Sequence, residues 1–134
     1  MKVALGQFAA ANEWRANAAT ATAILAEAKD AGCALLVLPE GILARDIADP
    51  EIVLKAAQPL DGPFMTEMLR ASEGSQMTTM FCLHVPVAGE ARVHNVLVAL
   101  RDGEIVAAYK KLHLYDAFSA QESEHVMPGA SIPD

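Results

Sequence analysis

Glu40 follows the apolar run Ala34–Leu38 and Pro39. If that run is a buried strand, Glu40 stands at its carboxyl end, where layered α/β proteins open their ligand crevice. A carboxylate held there is partly desolvated, which raises its pKa toward the range of a general base. Position alone favours the plainer reading, a solvated loop acid. Lys110 and Lys111 close a second apolar segment, Glu104–Tyr109. Side chains alternate along a strand, so the two lysines point to opposite sides. A lysine turned inward among carboxylates stays charged and can stabilise a developing oxyanion. The competing reading is a pair of solubilising edge lysines. His113 lies two residues after Lys111 and shares its face if the strand continues; it reads as a buried, hydrogen-bonded core residue. Glu122, within Gln121-Glu122-Ser123, reads by itself as a surface acid.

The other candidates are weaker. Cys33 enters a buried strand and Cys82 lies inside another, so both read as small apolar core residues, and buried thiols are usually inert. His84 and His94 fall in or beside strands, and His125 in a loop. The His and Cys residues show neither CxxC nor HxxxH spacing, so neither a metal nor a cofactor is expected. Glycine fingerprints of dinucleotide and phosphate sites are missing.

The elements that must position these side chains follow from apolar periodicity. Lys2–Ala9 reads as a strand. Asn12 can cap a helix running to about Ala31, with Ala21, Ile24, Leu25, Ala28 and Ala31 on one face and Gly32 as its stop. Ala34–Leu38 is apolar without alternation, which predicts a strand covered on both faces. Asp49-Pro50 predicts a short helix over Glu51–Ala57, and Pro63 starts another that carries Phe64, Met65, Met68 and Leu69 and ends near Gly74. Thr78–Val85 is a strand stopped by Pro86. Asn95–Leu100 and Glu104–Tyr109 form a hairpin around Asp102-Gly103. The order is mixed α/β.

Composition narrows the function classes. The chain has 134 residues, 53% hydrophobic and 20% charged, with net charge −7. That much apolar surface suits a folded domain rather than a disordered one. An acidic chain without a Lys/Arg cluster is a poor ligand for nucleic acid or anionic lipid. No apolar run approaches the ~20 residues of a membrane span. The N-terminus lacks the layout of a secretory signal, and two cysteines make no disulfide framework, so a reducing cytoplasm is expected.

Taken together, the motifs resemble one family. Leu38-Pro39-Glu40-Gly41, Tyr109-Lys110-Lys111-Leu112-His113-Leu114-Tyr115-Asp116, Gln121-Glu122-Ser123 and Pro128-Gly129 occur in order. This set looks like the N-terminal half of the nitrilase superfamily of carbon–nitrogen hydrolases, and Ala4-Leu5-Gly6-Gln7-Phe8 is similar to its first strand. The resemblance covers nearly the whole chain. It implies an α/β fold, the N-terminal part of an α-β-β-α sandwich. It also implies that residues 1–134 are an incomplete domain of a protein that usually dimerises. Glu40 matches the general base, Lys111 the catalytic lysine and Glu122 a second glutamate that orients the lysine and assists proton transfer. The nucleophilic cysteine of the family falls some tens of residues after Glu122. Leu38–Asp46, Met77–Pro86 and Lys111–Phe118 look most like the branch that includes deaminated glutathione amidase. In that branch the substrate is the amide of a small acid, and Arg45 is a candidate for its carboxylate. The plainer reading of Arg45 is an ion pair with Asp46 or Asp49.

Three hypotheses follow. The chain is the N-terminal part of a Cys-Glu-Lys amidase, inactive without its nucleophile; or it is a non-catalytic remnant or binding module of the same fold; or Cys82 is a substitute nucleophile.

Overall fold

The computed structural model describes residues 1–118 and 120–132. Asp134, where the sequence suggests an incomplete domain, lies outside the described residues.

The central sheet begins with β1 (Val3–Leu5) and β2 (Leu35–Val37), joined by α1 (Trp14–Asp30). After the short α2 (Ile52–Lys55) and α3 (Pro63–Ser72) come the long strands β3 (Thr78–Pro86), β4 (Val93–Arg101) and β5 (Glu104–Lys110). β1, β2 and β3 run parallel, and β3, β4 and β5 antiparallel, in the order of the chain. Beyond β5, β6 (Asp116–Ala117) pairs with β7 (Ala120–Gln121), a 3-10 turn spans Glu122–Glu124, and β8 (Val126–Met127) runs parallel to the start of β4. The mixed α/β order read from the sequence is therefore present. No helix among the described residues is long and apolar enough to cross a membrane.

Local chemistry accounts for the boundaries. α1 is capped by Glu13, whose carboxylate accepts the Ala16 N–H at 3.1 Å, and not by Asn12 as the sequence suggested. Glu13 has the extended backbone a cap requires, and its side chain is long enough to reach the third helical N–H. At the other end, Gly32 and Cys33 return hydrogen bonds to the Lys29 and Ala28 carbonyls, a Schellman closure. The hairpin turn is formed as expected: Asp102 and Gly103 both have positive φ, at 49° and 77°. β1 is shorter than the predicted run because pairing with β2 stops at Leu5, although Gly6 still donates to the Val37 carbonyl.

The core lies on one face of the sheet. Ala18, Ala21, Leu25 and Ala28 recur along α1 and are buried, so the helix presents a narrow small-residue stripe. α3 adds Phe64, Met65 and Met68. These meet Leu36, Phe81, Leu83, Val98 and Leu100, with Phe64 edge-on to Phe81 at 6.0 Å between ring centroids. The opposite face carries the register row Leu5, Val37, Met80 and Ala99 without a layer above β1. Leu5 is 79% exposed and Val3 44%. β2 is thus covered on one face only, not on both as its sequence predicted, because α1 and α3 pack on the same side.

An uncovered apolar sheet face and a short edge strand drive association. The 134-residue polypeptide in isolation is expected to sediment as dimers or larger species, and Leu5→Lys with Val3→Lys to shift it toward monomer. A monodisperse monomer with a single cooperative melt would contradict this.

Candidate active site

Glu40 is held by the loop that leaves β2. Leu38 donates to the Met80 carbonyl and Ile42 to the Cys82 carbonyl, so the loop is stitched to β3 on either side of Glu40. From below, buried Asn17 of α1 donates to the carbonyls of Leu43 and Ala11 and accepts the Ala11 N–H. Two loops are thereby tied to one helix side chain, and Glu40 is placed at the carboxyl end of β2.

Lys111 is positioned from β4. Its N–H donates to the Asn95 carbonyl at 2.9 Å, and its own carbonyl accepts the Gly129 N–H at 2.9 Å. The latter contact requires glycine: a Cβ at 129 would lie 2.5 Å from the Lys110 carbonyl oxygen. Lys110 pairs with Val96 one register position away, and Lys111 turns toward Glu40, so the two lysines diverge.

Glu40, Lys111 and Glu122 meet. The Lys111 ammonium donates to Glu40 Oε1 at 3.1 Å and to Glu122 Oε2 and Oε1 at 3.0 and 3.2 Å. Glu122 Oε2 also accepts the Tyr115 N–H at 2.6 Å, which ties the 3-10 turn to the preceding loop. Asn95 donates its side-chain amide to Glu40 Oε1 at 2.6 Å. Sequence reasoning missed Asn95; its only signal was a polar residue opening the apolar strand Asn95–Leu100. His84, directly opposite Asn95 across the β3–β4 pair, is buried beside them. Glu40, His84, Asn95, Lys111 and Glu122 line one cavity of about 710 Å³.

Charge in the cluster departs from the sequence expectation. Burial does push the Glu40 carboxyl up, but hydrogen bonds from Lys111 and Asn95 and the Lys111 charge outweigh it, so its pKa is lowered. Glu40 is an ionised proton acceptor at neutral pH, rather than one with a raised pKa. Burial acts against the Lys111 ammonium, yet its hydrogen bonds to Glu122 and Glu40 raise its pKa overall and keep it charged.

The remaining candidates lie elsewhere or do other work. His113 is exposed, not a core residue, because β5 ends at Lys110 and the strand does not continue beneath it. Cys33 and Cys82 are both half-buried. Burial, reinforced by the Glu40 charge and opposed by Lys111, pushes the Cys82 thiol up to about 11, so it is a protonated thiol and not an activated nucleophile. Arg45 makes no ion pair with Asp46 or Asp49 among the described residues: Asp49 is taken by Lys55 at 2.7 Å, and Asp46 accepts the Ala48 N–H. Among the described residues, no group of three or more His, Cys, Asp and Glu side chains is placed to hold a metal ion.

Comparison with known proteins gives a consistent family. The carbon-nitrogen hydrolase family profile matches residues 2–133. Deaminated glutathione amidase of Escherichia coli O157:H7 is 46% identical over 132 residues, which cover 98% of this chain and 50% of that protein. A hydrolase of Mycobacterium tuberculosis H37Rv is 34% identical over 132 residues, 96% of this chain and 46% of its own length. The chain therefore spans about half the length of these curated relatives. Among solved structures, the C. elegans NitFhit protein superposes with a TM-score of 0.83 at 22% identity, over 96% of this chain and 33% of that one.

The lowered Glu40 pKa has a direct consequence. Its contribution to stability is complete above the ordinary glutamate value of about 4.3 and is lost as pH falls through the depressed folded value. Lys111→Met is expected to move the Glu40 titration to higher pH in carboxyl carbon-13 NMR, and Asn95→Ala to move it in the same direction. A Glu40 titration unchanged in Lys111→Met would contradict the pairing.

Proposed function

The chain belongs to the carbon–nitrogen hydrolase family, and from that premise we propose that it is the N-terminal part of a Cys-Glu-Lys amidase acting on the amide of a small carboxylic acid, such as deaminated glutathione. Residues 1–134 supply the base, the lysine and the second glutamate; the nucleophilic cysteine of the family falls beyond them. The observation that carries this reading is the Lys111 ammonium held between Glu40 and Glu122 at 3.0–3.2 Å. A lone surface ion pair would need neither the Asn95 amide on Glu40 nor the Tyr115 N–H on Glu122.

Each member has a chemical task. Glu40, ionised, takes the proton of the cysteine thiol as the sulfur attacks the amide carbon. The carbonyl oxygen gains the negative charge, and Lys111 stabilises it from a fixed position. Glu40 returns the proton to the nitrogen, which leaves as ammonia or an amine. Glu40 then takes a proton from water as the water oxygen attacks the thioester, and the thiol is restored as the acid departs. Glu122 holds Lys111 on the oxyanion side. The same sheet face that leaves Leu5 uncovered supports a further layer and a homodimer in the complete protein.

The decisive experiment measures ammonia release from short amides of small acids by the product of the complete reading frame. Glu40→Gln and Lys111→Ala are each expected to lower kcat by roughly a thousandfold or more, since members of a coupled unit fail together. Cys82→Ser is expected to retain activity. Wild-type turnover that survives Glu40→Gln, or no turnover of any short amide, would overturn the proposal in favour of a non-catalytic module.

A further inference from the structure

The two carboxylate oxygens of Glu40 are used differently. Oε1 accepts the Asn95 side-chain amide at 2.6 Å and the Lys111 ammonium at 3.1 Å. Oε2 accepts no hydrogen bond among the described residues. The Glu40 side chain is 54% exposed, so packing alone does not fix its torsions. Its direction depends on the donors at Oε1.

Those donors differ in what they can fix. Lys111 reaches Glu40 on a flexible four-carbon stem and shares its ammonium with Glu122. Asn95 has a short side chain, is buried, and stands on β4, a strand paired on both sides: Asn95 itself lies opposite His84 of β3, and Val96 opposite Lys110 of β5. The Asn95 backbone carbonyl also accepts the Lys111 N–H at 2.9 Å. One residue of a doubly paired strand thus sets both where the Glu40 carboxylate lies and where the Lys111 side chain begins. Its amide must turn the NH2 toward the carboxylate, since an amide oxygen has no proton to donate.

Besides Lys111, the charged and titratable groups around Glu40 are His84 and Cys82 on β3, Arg45 and Asp46 on its own loop, and Glu122 in the 3-10 turn. Among the described residues none of these five hydrogen-bonds to the Glu40 side chain. An oxygen that already accepts two donors is a poor place for a proton, because protonation there sets the new O–H against both N–H groups. Oε2 carries no such cost.

We infer that Asn95 is the positioning residue of Glu40: it pins Oε1 and leaves Oε2, held in one direction, as the oxygen that takes the proton in the reaction. This role rests on the amidase reading and adds to it a residue outside the Cys-Glu-Lys set.

The test compares the product of the complete reading frame with Asn95→Leu, which keeps the volume and the backbone carbonyl but removes the donor, and with Asn95→Gln, which keeps an amide on a longer stem. Asn95→Ala, which cannot clash, gives the same readings should Asn95→Leu not fold. The readouts are the pH profiles of kcat and kcat/KM for ammonia release from short primary amides, and the Glu40 titration in carboxyl carbon-13 NMR. Losing a donor to the ionised carboxylate favours its protonated form, so in Asn95→Leu the acid limb and the Glu40 titration are expected to move to higher pH. Where Glu40 is ionised in both proteins, kcat is expected to fall by roughly ten- to hundredfold, the order of loss for a misplaced reacting group, with KM changed by less than about twofold. Asn95→Gln is expected to recover part of both effects. A fall in kcat without a moved acid limb is a merely structural role, and a moved limb with kcat retained is tuning of charge without positioning; either result overturns the inference. If no short amide is hydrolysed by the parent, the amidase reading fails and the NMR titration decides alone. A Glu40 titration raised in Asn95→Leu and lowered again in Asn95→Gln keeps Asn95 as the anchor of the carboxylate, and an unchanged one removes it.

Discussion

One ammonium group organises this structure. Lys111 follows the end of β5, Glu40 lies in the loop after β2 and Glu122 in the 3-10 turn after β7, and the side chains of these three segments meet at the one ammonium. Two carboxylates at hydrogen-bond distance from each other's partner would repel without it, and a part-buried ammonium would be costly without them. The exposure of Glu40 limits what the pair adds to stability, because water screens it. Its value lies in fixed geometry: a carboxylate and a cation held at the mouth of the sheet, facing the same volume.

The remainder of the fold serves that placement. The long antiparallel pair of β3 and β4 brings His84 and Asn95 opposite one another, and Asn95 uses both its carbonyl, on Lys111, and its side chain, on Glu40. Asn17 ties two loops from beneath. Gly129 allows the backbone to press against Lys110 and Lys111 where a side chain could not fit. Asn17, Asn95 and Gly129 do not titrate; each restricts the motion of the segments that carry Glu40 and Lys111.

How much of this the amino-acid sequence foretells depends on whether the signal is local. Asp102-Gly103 specifies its own turn and Gly32 its own helix end; both are read without the fold. Alternation says that Lys110 and Lys111 face opposite ways, and the family motif alone chooses Lys111. Its place at a strand end predicts a raised Glu40 pKa, whereas hydrogen bonds from Asn95 and Lys111, 55 and 71 residues away, lower it. Periodicity cannot say that β5 stops at Lys110, so it places in the core a His113 that the structure leaves exposed. The single-sided cover of β2 was equally hidden: an apolar strand looks the same whether its second layer is present or lies elsewhere in a longer protein.

On the proposed function, the Glu40–Lys111–Glu122 cluster is three parts of a four-part catalytic unit. A crystal structure of the complete reading frame's product at neutral pH tests this most directly. The account predicts a cysteine sulfur from beyond residue 134 within about 4 Å of both the Glu40 carboxylate and the Lys111 ammonium, the near-attack range for proton transfer and addition. A cavity in which Lys111 still bridges the two glutamates but no thiol comes within reach would contradict it.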